Sequence, residues 1–201
     1  MKINDNQYVK KILDKYNIDI TIKEIEQRYS EKHRHYHTIY HINNLIHQIN
    51  TKFTNKEITK PQKEILIIST IFHDIIYNID KNNNEELCVK LLQMRSPHND
   101  NIKIISNIIL DTINHVPSNK LSKIFCNLDM YIISNSDINE LIKYEKLIRL
   151  EYIKYDYSIY KKHRILFLKN ILKSYGKTNK KNILKLINHV NMDDSTNPNQ
   201  K

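Results

Sequence analysis

The sequence predicts an all-α protein, a single-domain helical bundle, and three observations lead there. Its 201 residues include one Gly and four Pro, too little punctuation for a many-stranded sheet with tight turns. Apolar residues recur at three- and four-residue spacing along most of the chain. Hydrophobic residues make up 40% and charged residues 27%, which excludes a wholly disordered chain.

The elements follow in order. Tyr8, Ile12 and Leu13 mark a first helix, and Ile22, Ile25 and Tyr29 a second. From about Thr38 a stripe of His41, Ile42, Leu45, Ile46 and Ile49 marks a third. Pro61 suits the first turn of a fourth, which is expected to run to about Tyr77. Its centre is apolar all round, as in a helix buried mid-domain. After the polar loop Asp80 to Asn84, a helix is predicted from Glu85 to about Met94, broken by Ser96-Pro97-His98-Asn99-Asp100. Ile102, Ile105, Ile109 and Ile113 give the next face, ending near His115 and Pro117. A short helix around Asp129 precedes two longer ones, at about Asn139 to Tyr155 and Tyr160 to Tyr175, the second stopped by Gly176. A last helix covers Asn182 to Val190. One domain over residues 1–190 is expected, with a disordered tail at 191–201.

Several classes are disfavoured. The start lacks an apolar segment of the signal-peptide kind. The most apolar run, Ile65 to Phe72, is far short of the roughly 20 residues of a spanning helix. Cys88 and Cys126 stand apart without a Cys-x-x-Cys, so neither a disulfide framework nor a thiolate zinc site is indicated. A cytoplasmic protein in a reducing compartment is the expectation. The net charge is +10. The crowding of Ile, Asn and Lys and the absence of Ala point to an A+T-rich coding sequence, which discounts that charge as evidence of an evolved nucleic-acid surface.

Ten histidines carry the chemical signal. His33, His35, His37 and His41 fall within nine residues, and His37 and His41 would share a face if the helix began at His37. His73-Asp74 closes the most apolar helix, where an ionised carboxylate is expensive without compensation; a divalent cation is the strongest. Asp129 again puts a carboxylate among apolar neighbours. Together His41, His73, Asp74 and Asp129 would make a two-imidazole, two-carboxylate site suited to Mn, Fe, Co, Ni, Zn or Mg. Ordinary readings stand beside these: a polar surface turn for the histidines, salt bridges or helix caps for the carboxylates.

The order His, His-Asp, Asp on successive helices resembles the HD-domain superfamily of metal-dependent phosphohydrolases. The blocks RHYHTIYHI (34–42), FHDIIYN (72–78), NEE (84–86), DTINHV (111–116), NLDMYII (127–133) and Y-x4-R-x-EY (144–152) resemble, in order, its predicted hydrolases of about 200 residues. Two departures stand out. Asn127 replaces the first carboxylate of an Asp-x-Asp, and His163-Arg164 stands where the family tends to Gly-Arg.

The resemblance implies an HD-type bundle that hydrolyses a phosphate ester, as a phosphomonoesterase or phosphodiesterase acting on a nucleotide or a similar small anion. His41, His73, Asp74 and Asp129 would bind the metal, with Asp74, Glu85 and His115 catalytic. Arg34, His37, His115 and Arg149 would contact substrate. Tyr77 occupies the turn where several relatives place an acid; of the next acids, Asp80 and Glu85, the family block favours Glu85 to orient or deprotonate the water, the ordinary reading being a solvated Glu at a helix start. His98 and His115 fall where two-metal relatives carry extra histidines. Arg149 and Glu151 would pair or line the site, and Tyr152 belongs to the core. Two other readings remain. One is a non-enzymatic nucleic-acid-binding module using the lysines and the Tyr-rich EYIKYDYSIYKKHR. The other is an HD-fold scaffold without turnover.

Overall fold

A computed structural model describes residues 2–53, 57–97 and 100–192, and all its regular elements among them are helical. His98 and the tail from residue 193 lie outside the described residues. The chain, expected to form one domain, packs as two compact units, Met1–Asp129 and Met130–Lys201.

The first unit holds α1 (Asn6–Lys15), α2 (Ile22–Arg28), α3 (Ile39–Lys52), α4 (Lys60–Phe72), α5 (Asn84–Arg95), α6 (Ile102–Asp111) and α7 (Lys120–Asp129). Helix α4 is its centre. It packs against α1, α3, α5, α6 and α7, and every residue from Glu64 to Phe72 is buried. Thr59 and Gln62 cap its start reciprocally, with Pro61 in the first turn. Ser69 and Thr70 hide their hydroxyls by donating to the carbonyls of Ile65 and Leu66, at 3.0 and 2.9 Å. Glu64, a buried carboxylate, accepts from Tyr16 at 3.0 Å and pairs with Lys15. Burial, with Glu64 adding to it, pushes the Tyr16 phenol up to about 12.

Helix α4 stops at Phe72 rather than near Tyr77. The carbonyls of Asp74 and Ile75 are taken by the buried Arg34 guanidinium, at 2.8 and 3.3 Å. The Ile76 amide donates to Cys88 Sγ at 3.3 Å. Groups that would have extended the helix are thus satisfied from other elements, and His73 and Asp74 sit on the corner. Helix α3 starts one residue after Thr38, whose hydroxyl caps it, so His37 precedes the helix.

The second unit holds α8 (Tyr131–Asn135), α9 (Ile138–Glu151) and α10 (Tyr157–Met192). Its buried residues include Leu141, Ile148, Leu168, Ile171, Ile183 and Leu186. Inside it, Glu145 accepts from Arg164 Nε at 2.8 Å and from the Tyr160 hydroxyl. Helix α9 ends at Glu151, short of Tyr155. In α10 the helical hydrogen bonding continues past Gly176, where a stop was expected. The break falls at Asn179 (φ −133°, ψ 28°), whose amide donates to the carbonyls of Ile133 and Ser136 at 2.9 and 2.7 Å.

Candidate metal centre

Three helices of the first unit deliver the site. His41 lies in α3, His73 caps the C-terminus of α4 with Asp74 next to it, and Asp129 ends α7. One ligand atom each from His41, His73 and Asp129 can be chosen so that all lie within 4.8 Å of one another. His41 Nε2 is 3.3 Å from His73 Nε2 and 3.1 Å from Asp129 Oδ1. His73 Nε2 is 3.0 Å from Asp74 Oδ2 and 3.6 Å from Asp129 Oδ1. The two imidazoles are buried, and both carboxylates are mostly covered.

The tautomer of His73 makes the donor set informative. Its Nδ1 is 3.0 Å from the carbonyl oxygen of Thr70, which can only accept, so Nδ1 carries a proton. A neutral His73 therefore turns a lone pair at Nε2 toward two carboxylate oxygens and a second imidazole. That arrangement repels itself unless a proton or a cation lies among the donors. It has the composition of a divalent-metal site, with a backbone carbonyl fixing the ligand ring from behind.

Without a cation the site holds protons instead. Burial opposes charge on His73, but Asp74 and Asp129 outweigh it and raise the imidazole well above its usual range. Burial would also raise Asp74, yet the charges of His73 and His37 prevail and hold its carboxyl below the usual range. Asp129 is held well below that range because hydrogen bonds from His115, His41 and His73 overcome its burial.

The other expected residues divide. His115 belongs to the site: its Nε2 is 3.1 Å from Asp129 Oδ2, and its backbone is left-handed at φ 53°. Such a conformation is disfavoured for a residue with a Cβ, and the Asp129 contact accompanies it. His37 is half-buried, with its ring 6.0 Å from that of His41 and 4.6 Å from that of Tyr77. Glu85, in the first turn of α5, feels the negative charge of Asp74; burial above all raises its carboxyl.

Arg34 does not offer an open fork. Its guanidinium donates to Glu31 at 2.9 Å and to the carbonyls of His37, Asp74 and Ile75. It lies over the rings of Tyr29 and Tyr77. It braces the corner that carries His73 and Asp74. Arg149 lies in the second unit, donates to the carbonyls of Tyr152 and Tyr155 at 2.6 and 3.1 Å, and stacks over Tyr157 and Tyr160. Glu151, expected beside it, is buried. Asp111 accepts from the Ser118 amide at 2.7 Å and from the hydroxyls of Ser118 and Ser122, which ties it to the start of α7.

Sequence reasoning missed Thr70, Phe125 and, in part, Tyr77. Thr70 is one turn before His73. Phe125 is one turn before Asp129 and meets the His73 ring edge-on at 5.3 Å. Both were discoverable, since residues three or four apart share a helix face. Tyr77 stacks on His33 and packs against His37, contacts with no local signature.

Comparison of the chain with known protein families, with curated proteins and with solved structures gives no match. Among the described residues no helix is long and apolar enough to cross a membrane.

Proposed function

We propose that this chain is a metal-dependent phosphohydrolase of the HD type, acting on a nucleotide or similar small phosphate ester. The observation that carries the reading is the convergence of His41, His73 and Asp129 within 4.8 Å, with Asp74 Oδ2 at 3.0 Å from His73. The resemblance of the ordered sequence blocks to the HD superfamily supplies the reaction class.

His41, His73, Asp74 and Asp129 would hold the ion. A bound divalent ion polarises a phosphoryl oxygen and lowers the pKa of water, supplying a nucleophile near neutral pH. The protein's own groups do the rest. Thr70 and Arg34 keep the His73 ring and the Asp74 backbone in place. His115 orients Asp129 through the contact to Oδ2. Glu85 accepts a proton from the attacking water, a task helped by the burial that raises its carboxyl. His37, whose ring lies 6.0 Å from that of His41, donates to a phosphate oxygen. Two free, buried cysteines support a setting in a reducing cytoplasm.

The test is metal content of the purified chain, followed by a panel of nucleotides and phosphoesters with Mn, Fe, Co, Ni, Zn and Mg. About one ion per chain and metal-dependent release of phosphate or a nucleoside phosphate are expected. No bound metal and no turnover with any combination would overturn the reading.

A further inference from the structure

The positive charge of this protein is concentrated in one element. Helix α10 (Tyr157–Met192) carries eight Lys and one Arg and no Asp or Glu, leaving 23 basic and 22 acidic side chains in the rest of the chain. An A+T-rich coding sequence supplies Lys everywhere and does not clear the acids from a single helix. Nearly all of the +10 therefore has a location.

The charges are also available. Lys162, Lys169, Lys173, Lys180, Lys181 and Lys185 are exposed, and none has an acidic partner among the described residues. At about 100° per residue, Lys162, Lys169 and Lys173 fall on one narrow stripe. They span about 16 Å at 1.5 Å per residue. Lys180, Lys181 and Lys185 follow the break at Asn179. The one Arg, Arg164, is buried on Glu145, so the exposed cations are all ammonium groups.

We infer that this face of α10 binds the phosphate backbone of a nucleic-acid duplex. Charge complementarity selects the partner: over about 16 Å a duplex presents roughly ten phosphate charges. Exposed polar residues interleaved with the lysines include Asn170, Ser174 and Asn188, hydrogen-bonding groups that suit phosphate oxygens. A duplex is favoured over a single strand because none of the Tyr and Phe side chains described in α10 is fully exposed as a stacking platform. Tyr160 is buried, and Tyr157 and Phe167 are at most half-exposed. The tyrosines of EYIKYDYSIYKKHR are thus buried or half-buried, and the lysines carry the binding. An anionic membrane would ask for a continuous apolar face, whereas the exposed large apolar side chains of α10 are the scattered Ile159, Leu166, Leu184 and Met192. This inference is independent of the phosphohydrolase reading.

The test is fluorescence anisotropy of the full chain with mixed-sequence 20-base-pair DNA and RNA duplexes, over a range of salt. Binding is expected to weaken steeply with salt, with a log–log slope near −0.9 for each phosphate neutralised. Lys162→Gln/Lys169→Gln/Lys173→Gln should flatten that slope by about 3 and weaken binding at least roughly tenfold. Lys180→Gln/Lys181→Gln/Lys185→Gln should act likewise. The control Lys23→Gln/Lys90→Gln/Lys123→Gln removes as many exposed lysines from the first unit and should leave most of the binding intact. The inference is overturned by no duplex binding at low salt, by equal losses in the control, or by binding to phosphatidylserine vesicles in place of duplex. Metal content of all three variants should stay unchanged, so failure here would leave the metal centre unaffected.

Discussion

His41 Nε2 and His73 Nε2 face each other at 3.3 Å, with Asp129 Oδ1 at 3.1 Å from the first and 3.6 Å from the second. Because the far side of His73 is engaged by the Thr70 carbonyl, this meeting of donors could hold a cation. His73→Ala should therefore abolish metal binding. Asp129→Asn keeps the shape and loses the charge, so affinity should fall roughly a hundredfold or more, beyond the loss typical of residues supporting a metal ligand. Metal analysis and circular dichroism on both variants check this. Full occupancy in either would remove that residue from the ligand set.

The same site predicts proton release. A metal must displace the proton that Asp74 and Asp129 keep on His73. Apparent affinity should rise with pH, by about a decade per unit for each proton released, until His73 is deprotonated in the free protein. In metal-free protein the signs differ by group. The raised His73 stabilises the fold below its unfolded value and loses that contribution as pH climbs through its folded one. The depressed Asp74 and Asp129 stabilise above their unfolded values and lose that contribution as pH falls through their folded ones. Calorimetric titration in buffers of different ionisation enthalpy measures the released proton. A pH-independent affinity would contradict the scheme.

Arg34→Lys isolates the bracing of the corner. Lysine cannot serve three carbonyls and Glu31 at once. Buried carbonyls left unpaired should cost about 1–3 kcal/mol. Metal affinity should also drop roughly ten- to a hundredfold, as for other residues that support a ligand. If Arg34 contacted substrate instead, KM would rise while metal binding and thermal stability stayed unchanged.

Glu85→Gln and His115→Ala should behave differently. The amide at 85 cannot take a proton, so turnover should fall roughly a hundredfold with metal retained. His115 touches Asp129, so its loss should weaken metal by roughly tenfold as well as slow turnover. Steady-state kinetics with metal titration separate the two. Normal kinetics in both would confine these residues to supporting the fold.

The thiols give an independent check on packing. Burial above all pushes both Cys88 and Cys126 up to about 12. Neither should react with a thiol reagent at neutral pH in the folded chain, and both should react in denaturant. Rapid modification of the folded protein would contradict the burial of α5 and α7.

The helices were legible because apolar periodicity is a local property, and α1, α3 and α6 follow it closely. Their ends were less legible. The stop of α4 depends on Arg34, distant in the chain, and the continuation of α10 past Gly176 to a break at Asn179 depends on carbonyls of α8 and the turn after it. No local pattern encodes those hydrogen bonds. The polar roles divide in the same way. A guanidinium at position 34 or 149 looks equally ready for phosphate in a sequence, and only packing shows that each is engaged with backbone carbonyls.

By itself, the sequence determined that this chain is helical, that its most apolar run is followed at once by His73-Asp74, and that residues 157–192 hold nine basic side chains and no acidic one. Those are matters of composition and of spacing along the chain. Only the tertiary structure decided that His41, His73 and Asp129 come within 4.8 Å of one another, that His115 leans on Asp129, and that Arg34 faces inward. The physical reason is that a site is made by groups from separate helices, whose meeting depends on how their apolar faces pack, and that packing is a property of the whole first unit.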